Sequence, residues 1–330
     1  MNIILIGGTR FIGRHFVELA TNAGHAITLF HRGLAGCTDF PEVEHVHGDR
    51  ATDLDKLGNR TWDAVVDTCG YMPRIVRKSA QFFAEKAHHY TFVSSLSVYN
   101  TYQPGMTEHD DVAKLEGPEP ETMTPENYGA LKALCEQEVI AAFPDRNVQV
   151  RAGMIVGPSD YSDRFTYWVR RVSMGGEILV PEPRRRPMQL IHAGDLAAWM
   201  LHMAEKKGDG IYHATTPQEP WTFEEVLEAC REVSGSKPAW VWAPESFFMD
   251  ENVEFWQELP LCAPPPDDAV MTVSVAKAIA EGLTWRPLLI TARETLAWDA
   301  HRPPGTQLKA GLAPEREVAL LEAWRKRSQS

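Results

Sequence analysis

The chain has 330 residues, 44% of them apolar and 24% charged, a globular balance that excludes a disordered or fibrous class and allows a large core. A formal net charge of −12 opposes non-specific binding to phosphate polymers, so no nucleic acid is expected as partner. Five cysteines (Cys37, Cys69, Cys135, Cys230, Cys262) are odd in number and form no CxxC pair, which argues against a disulfide framework and a zinc site.

An apolar run from Ile3 to Ile6 begins almost at the first residue and opens a series of β-rich segments at 2–6, 26–30, 43–47, 64–67, 90–94 and 148–151. Helical patterns at 11–21, 75–86 and 126–142 separate several of them. Strand and helix alternating this way predict βαβ units around a parallel sheet. The runs at Ile3 and Ala64 are continuously apolar, as strands covered on both faces require. Further on, 164–173, 196–205 and 223–233 read as helices, 210–214 as a strand and 260–266 as a Pro-rich loop. The tail at 314–327 reads as an amphipathic helix with Val318, Leu321 and Trp324 three residues apart. The expected organisation is a Rossmann-type α/β domain over 1–155, receiving segments near 188–216. A smaller, mostly helical substrate lobe makes up the rest of 156–330. The early apolar run leaves no room for a cleavable leader, and no stretch of about 18 residues is apolar throughout. A cytoplasmic protein without a membrane partner is the expectation; a homodimer is left open.

Gly7-Gly8-Thr9-Arg10-Phe11-Ile12-Gly13 follows the first strand and opens the first helix. Glycines there let the chain turn tightly and bring backbone N–H groups to a pyrophosphate at a helix amino terminus. A tight βα turn without a dinucleotide is the alternative. The second strand ends in His31-Arg32-Gly33, with no acid to accept from the adenosine ribose of NAD. Arg32 and Arg10 instead offer paired guanidinium donors to a 2′-phosphate, so NADP(H) is expected over NAD(H). Asp49 is placed to receive an adenine amino group, or else simply forms a surface turn. His45 and His47 read as alternation along an edge strand.

Tyr128-Gly129-Ala130-Leu131-Lys132 opens a predicted helix, and residues four apart share a helical face. An ammonium about 4 Å from a phenolate is worth about 4 kcal/mol at an effective dielectric of ~20, before desolvation opposes it. Such a pull brings a tyrosine towards general acid–base chemistry. Ser95 lies at the carboxyl end of its strand, the sheet edge where open α/β folds bind ligands. Its hydroxyl can orient a substrate oxygen. Glu108 to Asp111 read as an acidic lid, and Cys69 as a packing thiol.

GGTRFIG, Ser94-Ser95-Leu96-Ser97-Val98-Tyr99, YGALK, the run from Arg151 to Pro158 and the run from Gln189 to Ala197 together resemble the extended short-chain dehydrogenase/reductases. More narrowly they resemble the NAD-dependent epimerase/dehydratase group, over residues 1 to about 230. The resemblance implies a catalytic Ser95, Tyr128 and Lys132, with Lys132 also on the cofactor ribose and Asp49 on adenine. Arg10 departs from the group's middle glycine, and GGTR-type openings are similar to a branch that includes chloroplast stem-loop-binding proteins. In the group, the region after Gly157-Pro158 enters the substrate lobe. Arg164, Tyr167 and Arg186 are therefore the candidate substrate contacts, the last in a mobile basic loop with Arg184 and Arg185. The expected function is an NADP(H)-binding oxidoreductase or epimerase acting on a small substrate, a nucleotide sugar by resemblance. A stem-loop RNA-binding protein and a cofactor-occupied redox sensor without turnover are the rivals.

Overall fold

The six apolar runs of the first half do become strands of one sheet, because each can be covered by a helix on either side. The computed structural model describes residues 1–34, 39–264 and 266–329; Cys37 and Pro265 of the Pro-rich loop lie outside these. In chain order come β1 (Asn2–Ile6), α1 (Ile12–Asn22), β2 (Ala26–His31), β3 (Glu44–His47), β4 (Trp62–Asp67) and α2 (Pro73–Phe83). They are followed by β5 (Ala87–Ser95), α3 (Pro125–Ala142) and β6 (Asn147–Ala152). The chain then enters its second part with β7 (Met154–Val156), α4 (Arg164–Ser173), β8 (Gly176–Pro181), β9 (Pro187–Met188) and β10 (Leu190–His192). It returns to the first with α5 (Ala193–Glu205) and β11 (Gly210–Ala214), and leaves again through β12 (Trp221–Thr222), α6 (Phe223–Ser234) and β13 (Pro238–Ala243). Four helices close the chain: α7 (Glu245–Asp250), α8 (Ala276–Ala280), α9 (Leu288–Ala300) and α10 (Pro314–Ser328).

The main sheet has seven parallel strands in the order β11-β6-β5-β4-β1-β2-β3. This is a Rossmann-type doubly wound sheet, the predicted fold class. Strand β1, between β4 and β2, sets Ile6 opposite both Asp67 and Phe30, so the ends of β1, β2 and β4 lie level. One face is covered by α1 and α5, around Phe16, Val17, Leu196 and Met200. The other is covered by α2 and α3, around Phe83, Tyr90, Val139 and Phe143.

A separate core holds the second part, where Trp168, Phe223 and Phe247 pack with Leu320 and Leu321 of α10. Alongside its helices this lobe carries a parallel pair that the pattern did not show, β8 with β13 over six residues. The face α10 buries also differs from the predicted stripe. Val318 is 57% exposed, whereas Glu317 is buried because it pairs with Arg171 and accepts the Leu179 N–H. No helix among the described residues is long and apolar enough to cross a membrane.

Candidate active site

The glycine-rich turn is held between the end of β4 and the first turn of α1. Gly7 and Gly8 have φ of +97° and +88°, in the region that favours glycine. A Cβ on Gly7 would lie 2.7 Å from Thr68 Oγ1, and one on Gly13 would lie 2.5 Å from Gly8 Cα. The helix therefore starts in contact with the turn, and its first N–H groups, lacking intrahelical acceptors, face the sheet edge with partial positive charge. Phe11 and Ile12 are buried, so they offer a ligand their backbone, while the Arg10 side chain is exposed on the rim with half-buried Thr9 beneath it. This cradle fits a dinucleotide pyrophosphate.

At the end of β2, Arg32 is exposed and makes no ion pair among the described residues. Arg10 stands 5.7 Å over the Tyr161 ring and likewise has no carboxylate partner among them. The histidines close this end from below. The Gly33 N–H donates to His31 Nδ1, which leaves His31 Nε2–H to donate to His45 Nδ1 at 2.9 Å. Burial and two neighbouring imidazoles push His31 down to about 4. Asp49 sits in a turn where its Oδ1 accepts from the Ala51 N–H and its own N–H donates to Asp53.

Beyond Asp49 the structure adds a group that the motifs did not single out. Arg50 reaches under the site and forks onto Asp67 at 2.7 and 2.6 Å, and that carboxylate also accepts from the Tyr90 hydroxyl and the Cys69 N–H. Asp67 is wholly buried, and such a charge persists only when fully bonded. The network ties the Asp49 turn to the end of β4. Cys69 is a packing thiol, with burial pushing it up to about 11.

Ser95 ends β5, and its Oγ accepts from the Ser97 N–H, turning the chain into a short 3₁₀ segment, Leu96–Val98. The start of α3 packs directly on this segment. A Cβ on Gly129 would come within 2.0 Å of the Ser97 carbonyl oxygen, so glycine alone permits the approach that brings Tyr128 to Ser95. Pro125 at the first helical position and an Asn127 side chain accepting the Thr124 N–H fix where α3 begins. Burial raises the Tyr128 phenol, and the Ser95 hydroxyl and the Arg164 charge pull it partly back.

Lys132 shares the helix face with Tyr128 but does not reach for the phenol. Its Nζ donates to the carbonyls of Gly70 and Val93, both at 2.7 Å, and stands 4.1 Å over the Phe92 ring. It is 2% exposed, and loss of water pushes its ammonium down to about 8. The lowered tyrosine expected from the spacing is thus absent here: Lys132 is spent on carbonyls, and desolvation dominates at Tyr128.

Of the three substrate candidates the structure brings one to the site. Arg164 is exposed at the start of α4, close enough for its charge to act on Tyr128. Tyr167 is buried in the second core against Trp168, where it fills the space a side chain at Gly311 would need. Arg186 is 1% exposed, paired with Glu245 and donating to the carbonyls of Glu182 and Ala263, so the basic loop is anchored and not mobile. Both expectations fail for one reason: a partner distant in sequence claims the side chain. Within the acidic segment Glu108 is likewise held, accepting the His213 N–H of β11, while 109–111 are exposed. Tyr71 is a neighbour the sequence did not point to: burial and the nearby phenols of Tyr161 and Tyr128 raise its own, and Tyr161 likewise acts on Tyr128.

A Rossmann sheet with this turn, and with Ser95, Tyr128 and Lys132 at its carboxyl edge, is the arrangement of the extended short-chain dehydrogenase/reductase type. The model of the NAD dependent epimerase/dehydratase family matches residues 3–214, and the chain belongs to that family. Among curated proteins it is 27% identical over 253 residues to the chloroplast stem-loop binding protein of 41 kDa b of Arabidopsis thaliana, covering 71% of this chain. The chain spans 63% of that relative's length. Among solved structures, the Bordetella bronchiseptica enzyme WbmH in complex with NAD+ superposes with a TM-score of 0.66 at 18% identity, over 91% of this chain and 99% of that one. The Thermus thermophilus UDP-glucose 4-epimerase complex with NAD gives 0.64 at 18% identity, over 92% and 100%. At such identities the likeness is one of fold.

Proposed function

We propose that this chain is a nicotinamide-dinucleotide-dependent oxidoreductase or epimerase acting at a carbinol or carbonyl carbon of a small substrate, with nucleotide sugars as the favoured class. The observation that carries the reading is the contact of α3 with the Ser95 strand end through Gly129, which sets Tyr128 beside Ser95 above a glycine cradle. The turn from Gly7 to Gly13 would hold the pyrophosphate, Asp49 the adenine and Lys132 the ribose hydroxyls. When bound, the nicotinamide supplies or takes up hydride. Tyr128, its phenol raised by burial, holds a proton at neutral pH and delivers it to the substrate oxygen, acting first as an acid. Ser95 orients that oxygen. Arg164 supplies positive charge near the phenol and is the favoured substrate contact. The nucleotide-sugar class rests on the family and on neighbours such as the UDP-glucose epimerase.

NADP(H) is the favoured cofactor because Arg10 and Arg32 lack carboxylate partners among the described residues, and His31 stands where an acid would read the ribose. Titration of NADPH and NADH into the apo protein, followed by fluorescence, tests this. NADPH should bind at least about tenfold tighter, the scale of one charge-assisted phosphate contact, and Arg32→Ala should remove most of the difference. Equal affinities, or an unchanged ratio in Arg32→Ala, would overturn the preference. Stem-loop binding is a second reading, favoured by the Arabidopsis relative and opposed by the net charge of −12. Salt-sensitive retention of structured RNA at physiological ionic strength would support it.

A further inference from the structure

A cleft of about 480 Å³ opens beside the glycine-rich turn, walled by that turn, by the loop after β7 and by the segment that follows α9. Its charges are unequally satisfied. Arg14 pairs with Asp39, and Arg302 pairs with Asp163 at 2.7 Å and Asp299 at 3.3 Å. Arg10 and Lys309 are left. Neither makes an ion pair among the described residues, and they stand over the same ring, Tyr161, at 5.7 and 5.8 Å. Asp160 lines the same cleft and is 2% exposed; its Oδ1 accepts the Ser162 N–H and hydroxyl, while its buried Oδ2 has no partner.

Two unpaired cations and one buried acceptor describe a ligand with a phosphate and a sugar hydroxyl. A phosphate between the cations relieves their mutual repulsion and replaces weak stacking on an exposed ring with charge-assisted hydrogen bonds. A neighbouring hydroxyl satisfies Asp160, whose burial without a second partner is otherwise costly. A ribose phosphate presents both. We propose that Lys309 and Arg10 are the two arms of a clamp on a phosphate of the dinucleotide, with the free oxygen of Asp160 accepting from the adjacent ribose and Tyr161 standing between the arms. The proposal rests on the dinucleotide reading above and adds to it. Lys309 lies outside residues 3–214 matched by the family, so that arm of the clamp is supplied by this chain's own carboxyl-terminal segment. The phosphate is either the pyrophosphate bridge or a 2′-phosphate.

The Lys309 side chain is exposed, and its segment is held through backbone groups, the N–H on Asp163 and the carbonyl on Gln257, so truncation leaves the fold in place. NADH and NADPH are titrated into the full-length protein, Lys309→Ala and Lys309→Arg, with thermal unfolding measured on each. The clamp predicts about tenfold weaker binding in Lys309→Ala, at an unchanged unfolding temperature, and recovery in Lys309→Arg. Loss with both cofactors assigns the pyrophosphate; loss with NADPH alone assigns the 2′-phosphate. A wild type that binds and a Lys309→Ala that binds equally well overturn the clamp alone. A wild type that binds neither cofactor overturns the dinucleotide reading and the clamp with it.

Discussion

Lys132 shows how far a single residue's environment departs from what its spacing suggests. Its ammonium is charged against a wall of carbonyls and aromatic rings, with little water, and titrates near 8 instead of 10.5. Between these values the unfolded chain binds more protons than the folded one, so this group makes stability rise with pH and not fall. Any role of the charge in holding a cofactor is lost over the same interval. Cofactor affinity is therefore expected to fall as pH passes 8 while thermal stability shows no matching loss, and Lys132→Met should abolish the step. Fluorescence titrations from pH 7 to 9.5 on both proteins check this. A step that persists in Lys132→Met assigns it elsewhere. The sequence placed Lys132 and Tyr128 on one face correctly, because four-residue spacing is a property of the helix. It said nothing of Gly70 and Val93, because carbonyls that become neighbours through the sheet leave no mark in a local motif.

Among the elements, α3 and the Ser95 strand end set the geometry of the site through one glycine. Gly129 falls at a variable position of YxxxK, yet a methyl there would stand 2.0 Å from the Ser97 carbonyl oxygen. Backbone cannot yield as a flexible side chain does, so Gly129→Ala must push α3 away and carry Tyr128 with it. A stability loss of about 1–3 kcal/mol is expected, together with a fall in turnover much larger than the fall in cofactor affinity, since the glycine-rich turn is remote. Thermal unfolding and steady-state kinetics measure these, and a stable, fully active Gly129→Ala would show the approach to be looser. Elements were legible where periodicity is local: β1, α1 and α3 fall where the pattern put them. β13 was not, since Pro238–Ala243 pairs with a strand far earlier in the chain. For α10, Glu317 is drawn inside by Arg171, and no hydrophobic pattern records that pairing.

At the scale of the whole molecule, neutral histidines sit where segments distant in sequence meet. His31 joins β2 to β3 through His45, and His192 caps α5 with its ring against Glu294 of α9. Burial holds them down at about 4 and about 3. Both stay neutral in the fold while the unfolded chain protonates near 6.5, so the stability they contribute is complete above 6.5 and is lost on acidification through the folded values. Stability should decline between pH 6.5 and 4, read as a falling unfolding temperature, and less steeply in His31→Gln. Melting curves across this range test it, and a flat profile would contradict the histidine pairing.

The central claim is that Tyr128 is the proton-transfer group of a hydride-moving enzyme. Tyr128→Phe keeps the ring and its packing and removes the hydroxyl that carries the exchangeable proton. The direct measurement is loss of reduced cofactor at 340 nm when the protein, reduced cofactor and a panel of carbonyl-bearing nucleotide sugars are mixed, run on the wild type and Tyr128→Phe with cofactor affinity determined for each. The wild type should reduce the carbonyl, and Tyr128→Phe should do so at least ~100-fold more slowly at unchanged cofactor affinity. Full hydride transfer by Tyr128→Phe would contradict the claim and leave YGALK as no more than the start of a helix.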